Sequence, residues 1–136
     1  PAKVFMGDIG STFLGAFFVY SITKITNSKE LFGIILISFP LLTDAVVCIL
    51  NRYLNGQNIF SAHNLHLYQR LVRAGWKHSS VSYLYIFSTM ILAFSYLYLN
   101  IISSSLLAGL ITMVGIYIDK KIAYPFLLAS SDLKKK

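Results

Sequence analysis

Long apolar segments alternate with polar stretches along the chain. Four such segments cover about residues 12–26, 31–50, 81–99 and 101–119, and the polar stretch at 51–80 is the longest connection between them. A helix of roughly 20 apolar residues is long enough to cross the hydrocarbon core of a membrane. The pattern therefore predicts an all-α, polytopic membrane protein with about four transmembrane helices, in which residues 1–136 belong to one domain.

The segments differ in the residues that interrupt them. The second contains Pro40 and Asp44, whereas the third and fourth are separated by Asn100 and are expected to form a tight helical hairpin. The fourth carries small residues at 103–105 and also Gly109 and Gly115. Small residues let helices approach closely in lipid, where apolar burial gives helices no drive to associate. We therefore expect these positions to pack against a neighbouring helix.

The connection at 51–80 contains a second helical pattern, at residues 61–75. Ser61 is a suitable N-cap and Gly75 a suitable stop. On such a helix four basic or titratable side chains would share one face, namely His63, His66, Arg70 and Arg73. This face suits contact with anionic lipid headgroups or, because histidine donates protons well near neutral pH, the binding of a phosphate. A zinc site is disfavoured, since the two histidines have only Asp8 as a third ligand.

Composition and charge support the membrane assignment and orient the chain. Hydrophobic residues make up 56% of the sequence and charged residues 12%, with a formal net charge of +7 and a mean hydropathy of +0.66. Of the 12 lysines and arginines only Lys24 and Lys29 lie in the first connection. The positive-inside tendency therefore places residues 1–11, the loop at 51–80 and the C-terminal tail on the cytoplasmic side, with Lys134–Lys136 as a lipid-facing or solvated anchor. Because Cys48 is the single cysteine, we expect neither an intramolecular disulfide nor a metal cluster built on thiolates.

The stretch before the first apolar segment carries the first candidate chemistry. Asp8 stands between Gly7 and Gly10, and Ser11 follows. One interpretation is a helix cap, in which Asp8 or Ser11 accepts hydrogen bonds from free N–H groups. The other is a metal-bridged phosphate site, because the glycines admit a ligand close to the backbone and a carboxylate can hold a divalent ion.

Asp44 is a second candidate, placed well inside the second apolar segment. It lies eight residues before Arg52, about 12 Å along a helix, so the two cannot pair without bending. Pro40 is expected to kink the segment and open a polar cavity beside the carboxylate. Two interpretations of Asp44 remain open. Its carboxyl is buried and satisfied by Thr43 or by the hydroxyls of another helix, or it has a role at a functional site.

A set of short motifs gives the chain a family resemblance. The motifs are the run Phe5-Met6-Gly7-Asp8-Ile9-Gly10-Ser11, Pro40 and Asp44, then Arg52, Gly56 and Phe60, and the histidine-containing stretch at 61–75. Over residues 3–78 the chain resembles the C-terminal part of the polyprenyl-phosphate N-acetylhexosamine-1-phosphate transferases. That family includes the undecaprenyl-phosphate sugar-phosphate transferases and the phospho-muramoyl-pentapeptide translocase. The sequence at 62–71 is closer to that of the bacterial enzymes that initiate surface polysaccharides, such as lipopolysaccharide, than to that of the peptidoglycan enzyme.

The resemblance implies an enzyme that transfers a sugar 1-phosphate from a UDP-N-acetylhexosamine to undecaprenyl phosphate and releases UMP. It implies a magnesium cofactor, with manganese as an alternative, and a cytoplasmic active face in the bacterial inner membrane. The expected partners are the membrane, the polyprenyl phosphate lipid and the UDP-sugar, with a homodimer as an option and no nucleic acid.

By the same resemblance Asp8 is the magnesium-associated aspartate and, with His66, a catalytic residue. Substrate binding would fall to His63, Arg70, Arg73, Gly7, Gly10 and Ser11. The sequence contains no adjacent pair of aspartates, which the family carries on an earlier loop. We therefore expect the C-terminal part of a longer polypeptide that is inactive alone. The competing class is a non-enzymatic membrane module or transporter part, in which Asp44 binds a proton or an ion.

Overall fold

The structure, a computed structural model, describes residues 7–61 and 63–134 of the chain. These residues form helices and no strands, so the all-α prediction is confirmed. The helices are α1 (Gly7–Thr23), α2 (Ser28–Ile37), α3 (Phe39–Leu54), α4 (Leu67–Arg73), α5 (His78–Tyr98), α6 (Ile101–Lys121) and α7 (Phe126–Lys134). The side chains of Asp8 and of residues 132–136 lie outside the description.

The chain divides into two compact units, residues 1–35 and residues 36–136. In the first unit α1 begins at Gly7, five residues before the predicted start of the apolar segment. Gly10 and Ser11 therefore lie inside a helix. Extending an existing helix adds about one hydrogen bond per residue, and this gain offsets the roughly 1 kcal/mol cost of a glycine.

The second predicted span is interrupted at Ser38, where α2 has ended and α3 begins at the next residue. Pro40 is the second residue of α3. A proline in the first helical turn removes an N–H that has no partner in the helix, so it is tolerated there. The predicted interruption of this segment near Pro40 is therefore confirmed, but it takes the form of a break at Ser38 between two helices and not of a kink within one continuous helix.

Two described helices, α5 and α6, are each 21 residues long and apolar enough to cross a membrane, and α2 with α3 can be counted as a third, broken span. The apolar part of α1 is shorter. Large side chains on the outer faces of α5 and α6 are exposed, including Phe87 at 62% and Leu106 at 72%. In water these surfaces would be costly, whereas lipid solvates them. The structure thus supports the membrane assignment.

The hairpin of α5 and α6 packs through small polar residues. Ser95 and Ser104 are buried, and their hydroxyls share a hydrogen bond of 2.9 Å. Next to them Leu36, Leu92 and Ala108 form a buried apolar cluster. The expectation that Gly109 packs against a neighbouring helix is wrong. Gly109 is exposed, and a Cβ added there would meet nothing within 4 Å. The contact face of α6 lies at Ser104 and Ala108.

The C-terminal helix α7 was not predicted. Its Ala129 is fully buried in a cluster with Cys48 and Leu65, and Tyr124 and Phe126 pack against that cluster. A helix therefore occupies part of the stretch that we expected to be a simple tail. Through this cluster α7 covers the point where the end of α3 meets the histidine-containing loop.

Candidate functional site

The loop after α3 is organised by Arg52, which is 2% exposed. Gly56 has a φ of +64°, and the N–H of Gln57 donates to the Arg52 carbonyl oxygen at 3.0 Å. These are features of a helix ending in a left-handed glycine. The Arg52 guanidinium donates to the carbonyl oxygens of Asn58, Ile59 and Ser61. Arg52 thus fixes the path of the chain between α3 and the histidines.

The helix of the loop is shorter than the predicted helix at 61–75. It begins at Leu67, after an extended His66, so the prediction of Ser61 as its N-cap is wrong. The Ser61 hydroxyl instead accepts a hydrogen bond of 2.7 Å from Arg52. The end of α4 agrees with the prediction, since Gly75 follows it with a φ of +97°.

The N-terminus of α4 is capped from another helix. Asp44 Oδ1, on α3, accepts from the N–H of Leu67 at 2.8 Å, and Gln69 Oε1 accepts from the N–H of His66 at 3.2 Å. The first N–H groups of a helix lack partners in the helix, and a carboxylate there also interacts favourably with the helix dipole. The start of α4 at Leu67 is therefore set by the local contact of Gln69 together with a long-range contact of Asp44 that the local sequence does not encode.

Asp44 also contacts the site through its second oxygen. Tyr85, on α5, donates its hydroxyl to Asp44 Oδ2 at 3.1 Å, and His66 Nδ1 lies 3.8 Å from the same oxygen. The expectation that another helix's hydroxyl would satisfy the buried carboxyl is confirmed. Both Asp44 oxygens accept from protein groups, and the carboxylate also stands beside a histidine.

The two histidines lie next to each other in the extended stretch before α4. Their ring centroids are 5.1 Å apart, and the His66 ring stacks on Tyr68 at 5.6 Å. Burial, followed by the charges of Arg52 and His66, lowers the pKa of His63 from its ordinary value. Burial and then the charge of Asp44 raise the pKa of Tyr68. The site therefore favours a neutral His63, while the His66 side chain is 28% exposed and accessible.

The predicted basic stripe does not form. Arg73 is exposed, whereas Arg70 is 2% exposed and points into the protein. Arg70 donates to Asp119 and to the carbonyl oxygens of Leu65 and Tyr124, the last two at 3.1 and 3.0 Å. The prediction of a basic stripe is wrong because α4 includes neither histidine and turns Arg70 towards α6. A contact between Arg70 and substrate stays a prediction, but each of its three guanidinium nitrogens already donates to a protein acceptor.

Cys48 joins the histidines, which the sequence did not reveal. One donor atom from each of Cys48, His63 and His66 lies within 4.8 Å of the other two. The sequence analysis excluded a cluster of several thiolates but did not consider one thiol beside the two histidines, and Asp8 as a third ligand stays a prediction because its side chain lies outside the described residues. The separation of Cys48 and His63 by 15 positions hides the relationship, because the loop shaped by Arg52 folds back onto α3.

A cavity of about 160 Å³ lies beneath these residues. Pro40, Thr43 and Asp44 line it on one side, as expected, and Arg70 and Asp119 are also part of its wall. The rest of the lining is largely apolar and comes from α3, α5 and α6. The cavity is therefore less polar than the sequence suggested.

The described residues do not form a magnesium site. Mg²⁺ prefers oxygen ligands, whereas the clustered donors here are one thiol and two imidazoles. Asp44 and Asp119 are the carboxylates nearest the loop, and each already accepts from protein donors. The expected magnesium ligand Asp8 has its side chain outside the described residues. Gly7, Gly10 and Ser11 belong to the first unit and stay predictions as substrate-binding residues.

Two curated bacterial proteins are similar to this chain. One, from Bacillus subtilis (strain 168), is named "Probable undecaprenyl-phosphate N-acetylglucosaminyl 1-phosphate transferase"; it is 37% identical over 83 residues, covering 57% of this chain and 23% of that protein. The other, from Haemophilus influenzae, is named "Undecaprenyl-phosphate alpha-N-acetylglucosaminyl 1-phosphate transferase"; it is 35% identical over 78 residues, covering 54% and 22%. The chain thus spans less than a quarter of each relative. The resemblance drawn from the motifs is confirmed, while no family model and no solved structure matches the chain.

Proposed function

We propose that this chain is part of an integral-membrane enzyme that transfers N-acetylhexosamine 1-phosphate from a UDP-sugar to undecaprenyl phosphate, with release of UMP. The proposal is supported by the names of the two relatives and by the histidine site at the end of α3. The lipid product would serve as the starting unit of a bacterial cell-surface polysaccharide. The site would face the cytoplasm, as the charge distribution predicts.

The observation that carries the proposal is the partly exposed His66, held by surrounding protein groups. Its backbone N–H is bound by Gln69, its ring stacks on Tyr68, and Asp44 stands 3.8 Å from Nδ1. Attack of one phosphate on another brings anions together, so a positioned hydrogen-bond donor lowers the barrier. In this proposal the accessible His66 donates to an oxygen of the diphosphate.

The other candidate residues would bind substrate, position the loop or hold the metal ion. His63 and Arg73 would contact the sugar nucleotide, and Arg70 would act by holding α4 in place. Asp8 would hold the divalent ion, whose chemistry is to neutralise phosphate charge. The carboxylates missing from this chain would come from other parts of the complete enzyme.

The test uses the complete protein that contains this chain, in detergent with magnesium, a UDP-N-acetylhexosamine and polyprenyl phosphate. We expect His66→Ala to lower UMP release by on the order of 10²-fold, the loss typical of a positioned donor. His78→Ala is the matched control, because His78 is exposed at the start of α5 and outside the site. Equal activity of the two variants would contradict the proposal.

A second experiment separates the transferase from the alternative, a non-enzymatic membrane module or transporter part in which Asp44 binds a proton or an ion. Asp8→Asn keeps the size of the side chain and its capping ability but weakens cation binding, so transfer should fall sharply in the complete enzyme. The function of a non-enzymatic module or transporter part should depend on Asp44 and should tolerate Asp8→Asn. Both Asp44 oxygens accept hydrogen bonds from protein groups, an arrangement that favours the transferase interpretation.

A further inference from the structure

We infer that Cys48, His63 and His66 form a binding site for a thiophilic divalent transition metal of the Zn²⁺ class. One donor atom from each lies within 4.8 Å of the other two. Thiolate and imidazole together select Zn²⁺ and Co²⁺ and disfavour Mg²⁺ and Ca²⁺, which prefer oxygen ligands. This site thus differs in chemistry from the magnesium site of the proposed transferase, and because it uses His66, bound metal would withdraw from the diphosphate the donor that the transferase proposal assigns to that residue.

The ligands can reach metal-binding geometry by small movements. Tetrahedral zinc with ordinary bond lengths separates its sulfur and nitrogen ligands by about 3.5 Å, so contraction on the order of 1 Å is needed. Cys48 is fixed on α3 and 3% exposed. His63 and His66 lie outside any helix, in the stretch between the Arg52-bound loop and α4. The two imidazoles can therefore turn towards a fixed sulfur.

The surroundings supply a partner that metal-binding histidines commonly have. A ligating histidine is usually oriented by a carboxylate or carbonyl bound to its other ring nitrogen. Asp44 Oδ2 lies 3.8 Å from His66 Nδ1, and Asp44 is itself held by Tyr85 and the N–H of Leu67. Three protein ligands leave a fourth coordination position for water or an anion.

Cobalt provides a direct test with the 136-residue chain, purified in detergent without a polyhistidine tag. Titration with Co²⁺ should produce the visible bands of tetrahedral cobalt and a near-ultraviolet band from thiolate-to-metal charge transfer. Zn²⁺ should remove both, and a large excess of Mg²⁺ should not. Absence of the charge-transfer band in the unaltered chain would overturn the inference.

Variants assign the ligands. Cys48→Ser should abolish the charge-transfer band, and His63→Ala and His66→Ala should each weaken Co²⁺ binding at least tenfold. His78→Ala, the remaining histidine, should bind as the unaltered chain does. A charge-transfer band that persists in Cys48→Ser, or equal weakening by His78→Ala, would overturn the inference.

Alkylation covers the case in which Cys48→Ser does not fold. Zn²⁺ should slow the reaction of Cys48 with a small alkylating reagent at least tenfold in the unaltered chain, and this protection should be lost in His66→Ala, which keeps the cysteine. Equal protection in both proteins would contradict a shared site.

Discussion

Arg70 shows how one side chain can connect distant parts of this protein. It is buried, pairs with Asp119 on α6, donates to the carbonyl oxygens of Leu65 and Tyr124, and lies 5.5 Å from the centre of the Phe126 ring. A planar guanidinium can serve several acceptors in fixed directions, and a lysine ammonium cannot reproduce that geometry. The residue therefore holds the loop, α6 and α7 together.

We expect Arg70→Met to destabilise the protein by about 3–5 kcal/mol, because removal of one partner leaves the Asp119 charge without its cation. Adding Asp119→Leu should recover part of that loss, since replacing a buried pair by apolar groups is far less costly than breaking it. Thermal unfolding in detergent measures both effects. Arg73→Met is the control, and its exposed position should limit its effect to about 0.5 kcal/mol. An equal effect of the two single variants would contradict this role.

At the scale of single residues, the sequence identified the important side chains but not their partners. Asp44, His63 and His66 were predicted from their types and spacing, and they do lie together. Cys48 was set aside, because one thiol has no sequence pattern that indicates a site. The contacts of Arg70 were missed because they depend on α6 and α7, which lie about 50 positions further along the chain.

Helix α4 illustrates why the boundaries of elements were harder to predict. Residues 61–75 contain good helix formers, yet only Leu67–Arg73 is helical. Arg52 holds the chain at Ser61 in another conformation, and Asp44 binds the first N–H group of α4. Tertiary contacts, together with the local cap from Gln69, therefore decide where this short helix begins, whereas the left-handed Gly75 after its end is a local signal and was predicted correctly.

Loss of the Asp44 charge should loosen the start of α4. We expect Asp44→Asn to cost about 0.3–1 kcal/mol, because a neutral amide can still accept from the N–H of Leu67 but no longer places a negative charge at the positive end of the helix dipole. Hydrogen exchange at Leu67 should become faster. Tyr85→Phe removes only the hydroxyl that contacts the other Asp44 oxygen, so it should change this exchange much less. Unchanged exchange in Asp44→Asn would show that Asp44 does not cap α4.

The hairpin of α5 and α6 gives a prediction about packing in lipid. Ser104 is fully buried against Ser95, so Ser104→Leu should force the helices apart and cost about 1–3 kcal/mol. Ser104→Ala removes only the hydrogen bond and should cost about 0.6 kcal/mol. Gly109→Leu is the control, because its position is open. Unfolding in mixed micelles measures the series, and equal losses at positions 104 and 109 would contradict this packing.

At the scale of the whole molecule, the apolar pattern was sufficient for the fold class. The helices α5 and α6 match the third and fourth predicted segments within a few residues, because long apolar segments in lipid must satisfy their backbone groups as helices. The second segment forms two helices because of Pro40, and α7 was missed because it is short. The charge pattern predicts that Asp8 and the histidines share the cytoplasmic side, and this stays a prediction because the side chain of Asp8 lies outside the described residues.

The orientation in the membrane can be tested with single cysteines. In a chain with Cys48→Ser, we expect Asn27→Cys and Asn58→Cys to react with an impermeant reagent from opposite sides of the membrane, because the basic residues are concentrated outside the first connection. Both positions are exposed. Reaction of both cysteines from the same side would contradict the predicted topology.

The burial of Ala129 against Cys48 and Leu65 has a consequence for how the protein is made. Helix α7 begins 60 positions after His66, so at ordinary synthesis rates of about 5–20 residues per second it follows the histidines by roughly 3–12 s. During that interval the loop has no cover from α7, and Asp119 and Tyr124 have not yet been joined to Arg70. The histidine site can therefore reach its final form only late in translation. In nascent chains stalled shortly after residue 100, Cys48 should react with thiol reagents faster than it does in the finished protein.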